Sequence, residues 1–338
     1  MSELTRDILL RYWGYPSFRP LQEDIVDSVI EGKDTLALLP TGGGKSICFQ
    51  VPAMAMEGIC IVITPLISLM KDQVMHLKKN GIPAAAIFSG MHRSEIEVAY
   101  NQAAFGMLKF LYVSPERLMT DAFIEALKKM KVNLLAVDES HCISQWGYDF
   151  RPPYLKIAEI RRYIPNTPVM ALTATATPKV VEDIQYRLGF KRSNVFQTSY
   201  ERKNVTYNVI HEADKFGLMQ RLFSRMNSGS GIVYVRSRKR TKMIAEWLQS
   251  VGTSSTYYHA GLDAKTRDGR QQQWMEGKIK VMVATNAFGM GIDKPDVAYV
   301  LHYSIPLNLE HYYQEAGRAG RNGEPAECML YFAEADVA

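Results

Sequence analysis

The chain has 338 residues, 47% of them hydrophobic, which is length for about two domains and enough apolar mass for a core in each. Its 40 basic and 35 acidic residues leave a net charge of +5, too mild an excess to mark a polyanionic partner by bulk charge, so any nucleic-acid site must be local. The four cysteines, Cys48, Cys60, Cys142 and Cys328, form no CxxC pair, which argues against a zinc ribbon or a disulfide framework; no zinc site is expected, and reduced thiols suit a cytoplasmic protein, nucleoid-associated if bacterial. Neither a basic, apolar leader nor an apolar run of membrane-spanning length is present.

The first distinctive residues are Tyr15, Phe18-Arg19-Pro20 and Gln22. An aromatic face with a guanidinium and an amide suits a purine, although capping and core packing account for the same spacing. A β-branched run, Thr35–Leu39, is predicted as a buried strand. It leads into Pro40-Thr41-Gly42-Gly43-Gly44-Lys45-Ser46 and a helical pattern from Ile47. Three successive glycines let backbone N–H groups curl around an anion at a helix N-terminus. Lys45 supplies a point charge for the terminal phosphates and Ser46 a hydroxyl ligand for Mg²⁺.

Further short apolar runs follow at Cys60–Ile63, Phe110–Val113, Leu134–Val137 and Val169–Leu172, with amphipathic stretches such as Leu66–Lys79 and Asp121–Lys131 between them. Strands without polar alternation need both faces covered, so the reading is a parallel sheet with crossover helices. Leu134–Val137 ends in Asp138-Glu139-Ser140-His141, two carboxylates at the carboxyl edge of that sheet, where ligands of such folds bind. Asp138 is placed to hold Mg²⁺ and Glu139 to align or deprotonate an attacking water. Together with the phosphate loop they specify NTP hydrolysis. The segment from Cys142 to Tyr154 then carries Trp146, Tyr148, Phe150 and Arg151. Aromatic faces stack on bases irrespective of sequence, while burial of the same rings in the core is the competing reading. Thr64–Leu69 and Ser114–Arg117 each follow a strand and open a helix, as caps or phosphate contacts, and Leu172–Thr177 is a small polar segment after a strand, read as a relay between sites.

A second series of runs, Gly231–Val235, Thr253–Tyr258, Lys280–Ala284, Val297–His302 and Glu327–Phe332, starts near residue 205 after polar Tyr200–Asn204, with a helical pattern at Arg238–Gln249. We therefore expect units over 1–204 and 205–338. Thr285–Lys294 follows a strand, and Gln314–Arg321 sets Arg318 and Arg321 three residues apart, a spacing that on a helix puts both on one face, with Gly317 and Gly320 clearing the surface around them.

These strings occur in one order across nearly the whole chain: Phe18–Gln22, Leu39–Ser46, Thr64–Leu69, Asp138–His141 with its aromatic loop, Leu172–Thr177, Thr285–Lys294 and Gln314–Arg321. In this the chain resembles superfamily 2 helicases, and specifically the RecQ-type DNA helicases. The resemblance implies an α/β fold of two tandem RecA-like P-loop domains with mainly parallel sheets and flanking helices, sandwiching ATP. It implies recognition of the nucleotide by Tyr15, Arg19 and Gln22, by the loop residues Thr41 to Ser46, including Gly42, Gly43 and Gly44, and by Asp293. Catalysis would then rest on Lys45, Asp138, Glu139 and Gln314, with Arg318 and Arg321 as γ-phosphate sensors or arginine fingers, and Mg²⁺ on Ser46 and Asp138. Nucleic-acid contacts are implied for Ser68, Trp146, Phe150, Arg151, Arg238 and Thr285. Arg238 fits the family position better than Arg236, which follows Val235 where the family has cysteine or a small residue.

The implied activity is 3′ to 5′ translocation on single-stranded or partly duplex DNA with unwinding, in DNA repair or recombination. Two other readings stand beside it: an ATP-switched nucleic-acid clamp that does not unwind, and an RNA remodeller of the DEAD-box kind. Family members often continue into a four-cysteine zinc module and a winged helix, so the chain is expected to be a catalytic core.

Overall fold

The computed structural model describes residues 2–147, 149–226, 228–288 and 294–336. The chain divides into two compact units, Met1–Ser199 and Tyr200–Ala338, and each is an α/β sandwich around one sheet.

In the first unit the strands are β1 Thr35–Leu38, β2 Ile59–Ile63, β3 Ala84–Ile87, β4 Phe110–Val113, β5 Val132–Val137, β6 Val169–Thr173 and β7 Val195–Gln197. They lie in the order β3-β4-β2-β5-β6-β1-β7, and every pairing is parallel. The alternating side chains of each strand feed two separate cores. Leu36, Ile61, Leu111 and Leu135 pack on one face, while Ala37, Val62, Tyr112 and Ala136 pack on the other. This double burial is why the strands read as continuous apolar runs. Two strands escaped the sequence reading. β3 is Ala-Ala-Ala-Ile, without β-branched residues until its end, and becomes a strand through pairing with β4. β7 is only three residues long and pairs at the edge with β1.

The order matters for chemistry because β6 lies between β5 and β1. The loops leaving the carboxyl ends of β1, β6 and β5 are thereby neighbours, bringing together residues more than ninety positions apart in sequence.

The second unit has β8 Val205–His211, β9 Ser230–Tyr234, β10 Ser255–Tyr258, β11 Val281–Ala284, β12 Val297–His302 and β13 Ala326–Phe332, in the parallel order β10-β11-β9-β12-β13-β8. β8, at the edge, is buried only at Val205 and is otherwise half-buried or exposed, where β9 and β11 are buried throughout. Among the described residues, no helix is long and apolar enough to cross a membrane.

Candidate active site

The glycine-rich loop joins β1 to the helix Lys45–Ala55. Gly42 and Gly44 have φ of +77° and +76°, a left-handed backbone that glycine adopts without steric penalty. At Gly44 a side chain is excluded twice over, since a Cβ would stand 2.4 Å from Gln22 Nε2. Gly44 is also the helix N-cap, and having no side chain it leaves the first-turn N–H groups to a ligand. Lys45 Nζ donates to the Leu39 carbonyl at 3.3 Å, which folds the ammonium back over the loop. Thr41 and Ser46 are half-buried beside it.

Gln22 and Arg19 brace this loop. The buried Gln22 amide accepts from the Arg19 backbone N–H at 2.9 Å and donates to the carbonyls of Gly43 and Gly44 at 3.3 and 3.1 Å. The Arg19 guanidinium donates to the Gly42 carbonyl. Tyr15 and Arg19 are exposed. In this structure, then, both ends of the Gln22 amide are engaged, the oxygen by Arg19 N–H and the nitrogen by the loop.

Asp138 and Glu139 follow β5. Asp138 N–H donates to the Ile63 carbonyl at 2.8 Å, and Asp138 Oδ1 accepts from Glu139 N–H at 2.9 Å. Glu139 has φ +48°, unusual for a side chain of this size and of the kind found where function over-determines the backbone. Burial, then the Glu139 carboxylate, push the Asp138 carboxyl up to about 7, against the smaller opposing pull of Lys45. Two carboxylates facing one ammonium in a poorly hydrated pocket are a charge arrangement that a cation completes. The hard oxygen donors of Asp138 and Ser46 suit Mg²⁺, so these residues fit the ion that the sequence implies.

His141 ties the carboxylates to β6. Its Nδ1 lies 2.9 Å from Thr173 Oγ1 and 3.3 Å from Glu139 Oε2, while Thr173 Oγ1 donates to the Thr175 carbonyl at 3.2 Å. The polar segment after β6 is thus hydrogen-bonded to the acidic turn.

The aromatic segment splits. Trp146 is 61% exposed, with Lys179 Nζ 3.1 Å from its ring centroid, whereas Tyr154 is fully buried and donates to the Asp138 carbonyl at 2.9 Å. Phe150 is half-buried. Arg151 donates to Asp149 Oδ2 from Nε and Nη2 at 3.1 and 3.0 Å and to the Pro65 carbonyl at 3.4 Å. Tyr148 lies outside the described residues. Ser68 is exposed in the first turn of the helix Ile67–Lys79.

In the second unit Arg238 opens the helix Arg238–Ser250 and is exposed. Its Nη1 would stand 3.0 Å from a Cβ at Gly261. Burial, then Arg238 and Arg270, hold the His259 imidazole below its ordinary range, which marks a concentration of positive charge. Thr285 is buried, and its hydroxyl accepts from Ala287 N–H at 3.4 Å. Asp293 lies outside the described residues.

One expectation is corrected here. Arg318 and Arg321 do not share a helix face, because the helix Leu309–Ala316 ends before them, with Gly317 as its C-cap. They sit in a turn in which Gly320 has φ +59° and in which a Cβ on Gly320 would meet Asn204 Nδ2 at 2.5 Å. The glycine admits a close backbone approach and does not clear ligand space. Arg318 is 5% exposed, and its positive charge opposes the rise that burial imposes on the Tyr234 phenol, whose hydroxyl donates to the Phe288 carbonyl at 3.0 Å. Arg321 and Gln314 are half-buried.

Sequence reasoning missed Lys179, Tyr154 as a brace, and the clamp on the arginine turn. Arg202 donates to the carbonyls of Ala319 and Gly320 at 3.0 Å each, and Asn204 Nδ2 to those of Gly320 and Glu324 at 2.7 and 2.9 Å. The segment read as a polar boundary therefore fixes the turn. Partners more than a hundred positions away left no local signal.

Comparison with known proteins agrees with this geometry. Residues 19–184 match the DEAD/DEAH box helicase family, and residues 214–323 match the helicase conserved C-terminal domain. The chain is 42% identical over its whole length to the ATP-dependent DNA helicase RecQ of Pasteurella multocida, covering 54% of that protein. It is 44% identical, again over its whole length, to that of Bacillus subtilis, covering 57%. The chain thus spans just over half the length of these relatives. Among solved structures, the Mycobacterium smegmatis helicase Lhr bound to ssDNA and AMP-PNP superposes with a TM-score of 0.77 at 18% identity, over 97% of this chain and 47% of that one, a likeness of fold.

Proposed function

Because the chain belongs to the RecQ-type helicases, as their core of two tandem RecA-like domains, we propose that it is an ATP-dependent motor that tracks single-stranded DNA 3′ to 5′ and separates duplexes, in the setting of DNA repair or recombination. The observation that carries this reading is the convergence, at the carboxyl edge of one sheet, of the Lys45 loop with Asp138 and Glu139, and the rooting of the Trp146 segment in the same turn through Tyr154.

Ser46 and Asp138 would hold Mg²⁺, which would supply charge neutralisation for the phosphoryl group of ATP. The loop N–H groups and Lys45 grip the phosphates, and Glu139 orients and deprotonates water. Tyr15 and Arg19 recognise the base, while Gln22 contributes if its amide gives up the Gly43 and Gly44 carbonyls. Asp293, Gln314 and Arg318 serve the same turnover, and Arg321 acts as the arginine finger, a role generally worth on the order of 10³–10⁵ in rate.

Ser68, Trp146, Phe150, Arg151, Arg238 and Thr285 are assigned to the nucleic acid. Grip through phosphate contacts and stacking makes binding weakly sequence-selective and steeply salt-dependent.

The test is strand displacement on a duplex with a 3′ tail. Unwinding with ATP, and none with a non-hydrolysable analogue, is expected. Strand capture with both would make the chain a clamp, and ATP turnover stimulated by RNA above matched DNA would make it an RNA remodeller.

A further inference from the structure

The turn that carries the two carboxylates holds a second set of ligand-type atoms that the ATP reading does not use. His141, Cys142 and Asp149 each direct one donor into a common space, all within 4.8 Å of one another. Cys142 Sγ is 3.7 Å from His141 Nε2 and 3.8 Å from Asp149 Oδ2. A tetrahedral ion with Zn–S near 2.3 Å and Zn–N near 2.05 Å keeps sulfur and nitrogen about 3.5 Å apart, so the side chains stand close to ligating separation before any ion enters.

The histidine is also in the right tautomer. Thr173 Oγ1 spends its own hydrogen on the Thr175 carbonyl, so at 2.9 Å it accepts from His141 Nδ1–H. Glu139 Oε2, 3.3 Å from the same nitrogen, reinforces that placement. The Nε2 lone pair is therefore the one facing Cys142. A histidine whose distal N–H is held by a hydroxyl, with a carboxylate oxygen 3.3 Å away, has the kind of outer-shell support that orients a metal ligand. His141 and Cys142 are almost wholly buried, while Asp149 is half-buried and supplies the entrance.

We propose that His141, Cys142 and Asp149 form a three-ligand site for a thiophilic divalent cation of the Zn²⁺ class, with water as the fourth ligand. The sequence expectation of no zinc site rested on the absence of CxxC spacing. Here adjacent His and Cys are completed by a carboxylate seven positions on, which the aromatic segment folds back. Loading forms a metal–thiolate bond and releases the thiol proton to solvent. It also competes for Asp149 Oδ2, the oxygen that holds Arg151 at 3.1 and 3.0 Å. The ion would then pin the aromatic segment to the acidic turn and take from Arg151 the carboxylate that orients it, so it inhibits DNA-stimulated turnover. That consequence rests on the motor reading, whereas the binding site does not.

The test is optical titration of the full chain, stripped of metal by a chelator, with Co²⁺. One equivalent should bind with the intense visible bands of four-coordinate cobalt and a thiolate charge-transfer band in the near ultraviolet, and Zn²⁺ should displace it. Cys142→Ala should abolish the charge-transfer band, Cys328→Ala should retain it, and Asp149→Asn should weaken Co²⁺ binding at least tenfold. Asp149 lies on a half-exposed segment, so its variant decides the matter even if Cys142→Ala does not fold. No charge-transfer band in the wild type, its persistence in Cys142→Ala, or unchanged affinity in Asp149→Asn would each overturn the site. Zn²⁺ should also lower DNA-stimulated ATP turnover at least threefold in the wild type and leave that of Asp149→Asn unchanged; equal inhibition of both would overturn the inhibitory role. A wild type with no ATP turnover at all would instead sink the motor reading, with the titration still deciding the metal site.

Discussion

The phenolic hydroxyl of Tyr154 donates to the backbone carbonyl of Asp138 at 2.9 Å, so the far end of the aromatic segment holds the turn that presents both acidic side chains. Anything that moves the segment acts on that turn directly. Tyr154→Phe removes only this hydrogen bond. A loss of about 1 kcal/mol in stability is expected, with a lower kcat for ATP hydrolysis. Denaturant midpoints and steady-state rates measure the two, and an unchanged kcat would make the contact purely structural.

Asp138 sets a pH dependence. Its carboxyl is raised by burial and by Glu139 to about 7 from an unfolded value near 3.8. The folded state therefore binds the proton more tightly, and ionisation weakens folding progressively as pH rises from about 4 to 7. Asp138→Asn should match the wild type in thermal stability near pH 4. Above pH 7, with nucleotide and metal absent, it should be the more stable by about 1–3 kcal/mol. A difference independent of pH would place the effect outside this titration.

Lys45→Ala should abolish ATP turnover while changing single-stranded DNA affinity by less than about twofold, since the loop binds phosphates of the nucleotide and not of DNA. Filter binding and a phosphate-release assay on the same preparation separate the two. Retained hydrolysis would sink the assignment of the loop.

Trp146→Ala should lower DNA-stimulated ATPase activity far more than the basal rate and weaken DNA binding by about 1–3 kcal/mol, the scale of one stacked base. Lys179 Nζ, 3.1 Å from the centroid of the Trp146 ring, covers the face on which a base would stack, so stacking would displace it toward the phosphate of that nucleotide. Lys179→Gln should reduce the salt dependence of binding by about one phosphate contact. Equal losses in basal and stimulated rates would make Trp146 a packing residue.

The two arginines of the second unit should separate by readout. Arg318, 5% exposed with its charge beside Tyr234, is expected to lower thermal stability when changed to alanine, by about 1–3 kcal/mol. Arg321→Ala should leave stability nearly unchanged and reduce kcat by about 10³-fold or more. The opposite pattern in thermal melts and turnover would exchange their roles.

Much of this protein is local in its sequence. The buried strands announce themselves because both faces of a parallel sheet demand apolar residues, and the phosphate loop because only glycines admit its backbone. The acidic string after β5 is visible for a related reason, since a strand end sets where its next residues stand. What the sequence withheld depends on contacts between distant segments. β3 became a strand by pairing with β4, although its alanines carry little preference of their own. Arg318 and Arg321 parted because a helix ended at Gly317 and the turn beyond it was clamped by Arg202 and Asn204. Whether an aromatic faced solvent or core was settled by folding alone, with Trp146 outside and Tyr154 beneath Asp138. The cysteines, which by spacing signalled only reduced thiols, gained a neighbourhood when the chain brought Asp149 back against His141 and Cys142. Spacing records what adjacent residues can do, but the strand order β5-β6-β1 and the return of one loop chose which distant groups share a pocket.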